Sequence, residues 1–173
     1  SITFMVAMGL SVAATIRVGN QKGFKAFGEL KRIALSVFLL TLLLDVVFAG
    51  VFVACNEWLP WLYLDSATGL DTFAVAELAG SLLFIAAFFQ IFDGAQVVAL
   101  GSLRGLQDVR IPTWITFLAY VLIGVPVMLY LSVEAAMGAR GVWIGLCLGL
   151  VVSSLLLYLR FRYLSNKLIR TNG

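Results

Sequence analysis

Asp93 stands in "FQIFDGAQVV" (Phe89 to Val98), a carboxylate inside one of the most apolar stretches of the chain. Gln90 and Gln96 flank it at intervals of three. At about 100° per residue these three side chains fall along an arc of roughly 120° on one face of a helix. An aspartate between two amides can hold a proton, offer oxygens to a sodium ion, or pair with an organic cation. The plainer alternative is a structural aspartate bonded to a neighbouring helix. A second carboxylate, Asp45, occurs in "TLLLDVVFAG", where Thr41 is its only polar neighbour one turn away. Without a wider polar stripe, a cavity role and a structural role are equally open for Asp45. Glu77 is expected near the outer interface, and Glu29 and Asp108, set among basic loop residues, are expected to be solvated.

Much other chemistry is excluded by residue type. The chain has no histidine, which removes the commonest general base and metal ligand. Cys55 and Cys147 are far apart and lack metal-type spacing, so they read as ordinary apolar residues and not as a disulfide, zinc or redox pair. No cofactor, nucleic-acid partner or enzymatic activity is indicated, and the only metal site suggested is a sodium ion at Asp93.

The elements that must position these carboxylates are membrane helices. The chain is 62% hydrophobic and 12% charged, with a mean hydropathy of +1.04, whereas soluble domains are about half apolar and a quarter charged. Five apolar runs approach the roughly 20 residues that span a bilayer. They are about Ile2 to Ile16, Ile33 to Val53, Phe73 to Leu103, Pro112 to Val133 and Gly141 to Leu159. None alternates as a porin strand would. The expected fold is one all-α transmembrane domain over residues 1–173. The first run is apolar from its second residue, with no basic stretch or cleavage site ahead of it. That pattern suggests a fragment of a longer protein, not a signal peptide.

Charge then orients the helices. Arg17, Lys22, Lys25, Lys31 and Arg32 follow the first run, Arg104 and Arg110 the third, and Arg160, Arg162, Lys167 and Arg170 the last. Arg140 alone falls on the other side, where the second connection carries Glu57, Asp65 and Asp71. The positive-inside rule places the basic side and the C-terminus in the cytoplasm and the Ser1 end outside. Trp58, Trp61 and Trp143 fit the outer interface, and Tyr158 and Tyr163 the inner one. In this arrangement Asp93 lies about ten residues, or ~15 Å, from the inner end, near the bilayer midplane. A charge facing lipid there costs at least ~2.5–3.5 kcal/mol, so Asp93 should face protein or water.

Two further segments carry packing signals. Gly141, Gly145 and Gly149 recur every four residues on the last helix, a spacing that lets another helix approach closely. Pro126, in "IGVPVM", removes a backbone bond inside the membrane and is a candidate hinge or bend.

Four stretches together resemble the multidrug and toxic compound extrusion (MATE) transporters: "GLSVAATIRVGNQKG" (Gly9 to Gly23), "FQIFDGAQVVALGSLRGLQDVRIP" (Phe89 to Pro112), "IGVPVMLYL" (Ile123 to Leu131) and "GARGVWIGLCLGL" (Gly138 to Leu150). The most specific parts are an Arg-Val-Gly turn closing the first helix, and the Asp-x-x-Gln and Leu-Arg-Gly runs of the third. The order matches helices eight to twelve of a twelve-helix, two-lobe fold. The resemblance implies efflux of organic cations across the plasma (bacterial inner) membrane by alternating access, driven by sodium or protons. It implies that Asp93 is the acidic cation-site residue of the C-terminal lobe, in company with Gln90, Gln96 and, less directly, Asp45. The family's glutamate on the seventh helix and the whole N-terminal lobe are missing partners, so this polypeptide alone should not transport. Arg17 and Arg104 belong to motifs, yet their places at helix ends suit orientation and loop closure. Phe84, Phe88, Phe89 and Phe92 can offer aromatic faces to cations. Two alternatives stand beside this reading. A lipid-linked precursor flippase would want basic residues at cavity depth, and an intramembrane aspartyl protease would need Asp45 and Asp93 as its pair.

Overall fold

The computed structural model describes residues 2–55, 70–135 and 137–172, without the side chains of Ile2, residues 70–78 and Asn172. Trp58, Trp61, Glu57 and Asp65 lie outside the described residues, as do the side chains of Asp71 and Glu77. Among the described residues, five helices are long and apolar enough to cross a membrane. We label them α1 (Ile2–Gly23), α2 (Phe27–Ala54), α3 (Leu70–Gly105), α4 (Arg110–Glu134) and α5 (Ala139–Asn172). No strand occurs among the described residues. Helices suit this sequence because each satisfies its own backbone hydrogen bonds where lipid offers none.

The helices outrun the apolar segments that signal them. Arg17, Val18 and Gly19 do not close α1, which continues to Gly23. Hydropathy marks the part in hydrocarbon, while backbone hydrogen bonding continues through the charged turns beyond it. The chain reverses instead at Lys25, whose φ of 58° is left-handed. The amides of Lys25 and Ala26 donate back to the carbonyls of Lys22 (3.2 Å) and Gln21 (3.0 Å). Gln107, with φ of 64°, repeats the turn: its amide reaches Arg104 at 2.8 Å and that of Asp108 reaches Leu103 at 3.0 Å. This paired closure satisfies carbonyls that a helix end otherwise leaves bare.

The two turns are clamped together. Lys22 Nζ donates to the Leu106 carbonyl at 2.8 Å and to Gln107 Oε1 at 3.0 Å. Asp108 is not simply solvated: its Oδ2 pairs with Arg160 Nε at 3.0 Å, with its side chain 16% exposed. The basic ends of α1, α3 and α5 therefore converge. Arg140, at the start of α5, donates instead to Ser81 Oγ on α3 at 3.0 Å, joining those two helices at the opposite end.

α3 is the centre of the bundle and packs against α1, α2 and α5, whereas α4 is attached chiefly through α5. The main apolar core lies toward the basic end, where Val18, Leu30, Leu103, Leu157 and Phe161 meet. Along α1, small residues bring α3 close. Ser11 Oγ donates to the Val97 carbonyl (2.8 Å), Thr15 Oγ1 to that of Gly101 (2.9 Å), and a Cβ on Gly101 would overlap Ser11. α4 is not uniform: π-helical turns at Tyr120–Gly124 and Tyr130–Glu134 bracket α-helical Val125–Leu129. The first π turn directly precedes Pro126, whose ring and missing N–H disturb the bonding of the preceding turn.

Candidate functional site

The polar stripe of α3 faces three neighbours. Gln90, 8% exposed, uses both ends of its amide: its Nε2 donates to Asp45 Oδ1 at 3.2 Å, and its Oε1 accepts from Thr3 Oγ1 at 2.9 Å. One side chain thus ties α3 to α2 and α1. Gln96, also 8% exposed, lies 120° further round the helix and looks toward α4, where the Tyr120 hydroxyl approaches its Oε1 at 3.5 Å. Asp93 projects between these two amides. It is half-buried and has no hydrogen-bond partner among the described residues.

Asp45 is 2% exposed and packs so closely on Gly94 that a Cβ there would overlap its carboxylate. Its Oδ1 is held by Gln90, while its Oδ2 has no hydrogen-bond partner among the described residues. Thr41 does not supply one, since its hydroxyl donates to the Val37 carbonyl of its own helix at 2.9 Å. Asp45 thus rests beside the residue that follows Asp93, and Tyr120 reaches Gln96 three residues further on. The arrangement therefore gathers two carboxylates, two amides and a phenol on and around one stretch of α3. Carboxylates in such a setting can take up a proton or offer oxygens to a monovalent cation. Among the described residues no three acidic, His or Cys groups come together to hold a metal ion.

The other sequence candidates lie apart from this cluster. Gly141, Gly145 and Gly149 form the face of α5 against α4. A Cβ on Gly141 would come within 2.6 Å of the Ser132 amide nitrogen, one on Gly145 would meet the Met128 backbone, and one on Gly149 would lie 3.2 Å from Gly124 Cα. Pro126 sits on α4 between the two π turns. Phe89 packs edge-on against Trp143 of α5 at 5.8 Å, and Phe84 and Phe88 meet each other at 5.4 Å on the exposed surface. Thr3, Tyr120 and Gly94 complete the cluster without having stood out in the sequence. Thr3 and Tyr120 are isolated polar groups in apolar runs, and only the packing shows that both reach α3.

The family profile MatE matches residues 1–129. The chain belongs to the MATE family. Its relatives include probable multidrug resistance protein NorM of Xanthomonas axonopodis pv. citri, 36% identical over 170 residues, covering 98% of this chain and 36% of the relative. The protein of the same name in Pseudomonas aeruginosa is 38% identical over 168 residues, covering 97% of this chain and 34% of the relative. The fold of the MATE chain matches the eukaryotic MATE transporter AtDTX14, with a TM-score of 0.82 at 20% identity over 99% of this chain and 38% of that one. It also matches an inward-facing multidrug resistance MATE transporter, with a TM-score of 0.84 at 16% identity over 99% of this chain and 39% of that one. The chain thus spans little more than a third of the length of these proteins.

Proposed function

We propose that this chain is the C-terminal-lobe portion (helices eight to twelve) of a MATE antiporter that exports organic cations across the bacterial inner membrane, driven by inward sodium or protons. Membership in the MATE family and the multidrug-resistance names of its relatives support drug export. The observation that carries the coupling site is Asp93: an unpartnered, half-buried carboxylate on the central helix, between two amides and next to Gly94, on which Asp45 rests. Asp93 is the group that exchanges coupling ion and substrate. Gln90 and Gln96 hold the neighbouring helices around it, and Asp45 fixes Gln90. Lys22 and Arg140 bind near helix ends and Arg160 pairs with Asp108 in the turn after α3, all away from Asp93. Pro126 and its adjoining π turn form the hinge by which α4, and with it Tyr120, shifts relative to α3. The basic end faces the cytoplasm.

The test is efflux of a fluorescent organic cation by the full-length parent protein in everted membrane vesicles, under imposed sodium or proton gradients. Wild type should accumulate the cation only with one of the two gradients, which names the coupling ion. Asp93→Asn should abolish gradient-driven accumulation at unchanged expression. Normal accumulation by that variant would place the coupling group elsewhere.

A further inference from the structure

At the basic end of the bundle, α2, α3 and α5 leave between them a cavity of about 250 Å³, remote from Asp93. Its wall changes character along the helices. Lys31, Ser102 and Arg162 line the end nearest the charged turns, while Leu35, Phe38 and Tyr158 line it further into the apolar segments. From Lys31 to Phe38 the helix rises ~10 Å, the step from headgroup level into the acyl region. The deep wall is a tilted aromatic pair, Phe38 against Tyr158 with ring centroids 5.2 Å apart. Leu35, Leu39 and Leu159 are exposed along the same faces of α2 and α5, a surface suited to lipid.

The polar end has a sign. No acidic side chain lines the cavity. Lys31 Nζ donates to the neutral Asn166 Oδ1 at 3.1 Å, and Arg162 has no ion pair among the described residues. Ser102 is 3% exposed and lines the cavity beside them. A serine hydroxyl and two cationic side chains together can donate to an acceptor placed in the cavity. A soluble anion would satisfy the polar end and leave the aromatic wall without a partner. An organic cation would be repelled by two uncompensated charges.

We infer that this cavity binds one anionic phospholipid from the leaflet at the basic end. Lys31, Arg162 and the Ser102 hydroxyl hold its phosphate, and the upper part of an acyl chain lies against Phe38 and Tyr158. Basic pockets between transmembrane helices are suited to anionic headgroups. The site is separate from the carboxylate cluster and does not depend on the transport proposal.

Native mass spectrometry of the full-length parent protein in detergent tests this, with dioleoyl phosphatidylglycerol and dioleoyl phosphatidylcholine at equal concentration. Wild type should retain one phosphatidylglycerol in preference to phosphatidylcholine. Lys31→Gln with Arg162→Gln should weaken that binding roughly tenfold or more, and Ser102→Ala should weaken it less. Lys31→Arg with Arg162→Lys should restore it, and the control Lys25→Gln with Arg170→Gln should leave it near wild type. Equal retention of the two lipids overturns the proposal. So does equal loss in the control pair, which would mean surface charge alone. Displacement by glycerophosphoglycerol, the same headgroup without chains, as effective as by the lipid would make this a free-anion site and also overturn it.

Discussion

A carboxylate buried between two membrane helices is costly unless its oxygens are satisfied, and Asp45 meets that requirement only on one side. Gln90 serves Oδ1, while Oδ2 rests near Gly94, one residue from Asp93. The absence of a side chain at Gly94 is what allows the contact. Gly94→Ala should therefore force α2 and α3 apart or expel the carboxylate, destabilising the full-length protein by about 1–3 kcal/mol, as overpacking does. Thermal unfolding checks this, and Asp45→Ala in the same background should recover part of the loss because the two sites touch. A single variant as stable as wild type would show that the contact is loose. Much at this scale was legible in advance: periodicity alone places Gln90, Asp93 and Gln96 on one arc. It could not tell which helix each would meet, because a helical repeat fixes a side chain's face and leaves its partner across the interface open. Asp45 looked isolated for that reason, since Gln90 lies 45 positions away in sequence.

At the scale of elements, α4 depends on α5, and the glycine face of α5 is what makes their approach possible. A side chain at Gly145 would run into the Met128 backbone, which cannot rotate away as a flexible side chain can. Gly145→Val should lower stability by about 1–3 kcal/mol or more, whereas Gly50→Ala, where a Cβ meets nothing within 4 Å, should change it little. Unfolding of the two purified variants side by side measures the difference, and equal stability would refute the close packing of α4 on α5. The four-residue glycine spacing announced a packing face, and Pro126 announced an irregular α4. The π turns were not announced. They depend on which carbonyl each amide finds, and side-chain pattern carries little of that. Helix ends were read short for a related reason: α1 runs past Arg17 and α5 past Leu159, because charged residues leave the bilayer without leaving the helix.

For the molecule as a whole, the distribution of Lys and Arg carries the orientation. The structure adds that the basic turns are tied together, Lys22 to Leu106 and Arg160 to Asp108, while Arg140 binds Ser81 on a separate contact. If the basic end is cytoplasmic, a membrane-impermeant maleimide should label Arg140→Cys in intact cells and Lys25→Cys only after permeabilisation, with Cys55 and Cys147 first replaced by Ala. The reverse pattern would invert the topology. Five helices and their order could be read from hydropathy and charge, but how they pack against the rest of a longer protein could not, since the chain spans about a third of its relatives' length. We propose that Asp93 binds the coupling ion and gives it up when substrate arrives. The most direct measurement is ion release from the purified full-length protein on addition of an organic cation, by pH indicator in weak buffer and by a sodium-selective electrode. Wild type should release protons or sodium in proportion to bound substrate, and Asp93→Asn should release none while Asp45→Asn still releases them. Undiminished release from Asp93→Asn would contradict the account.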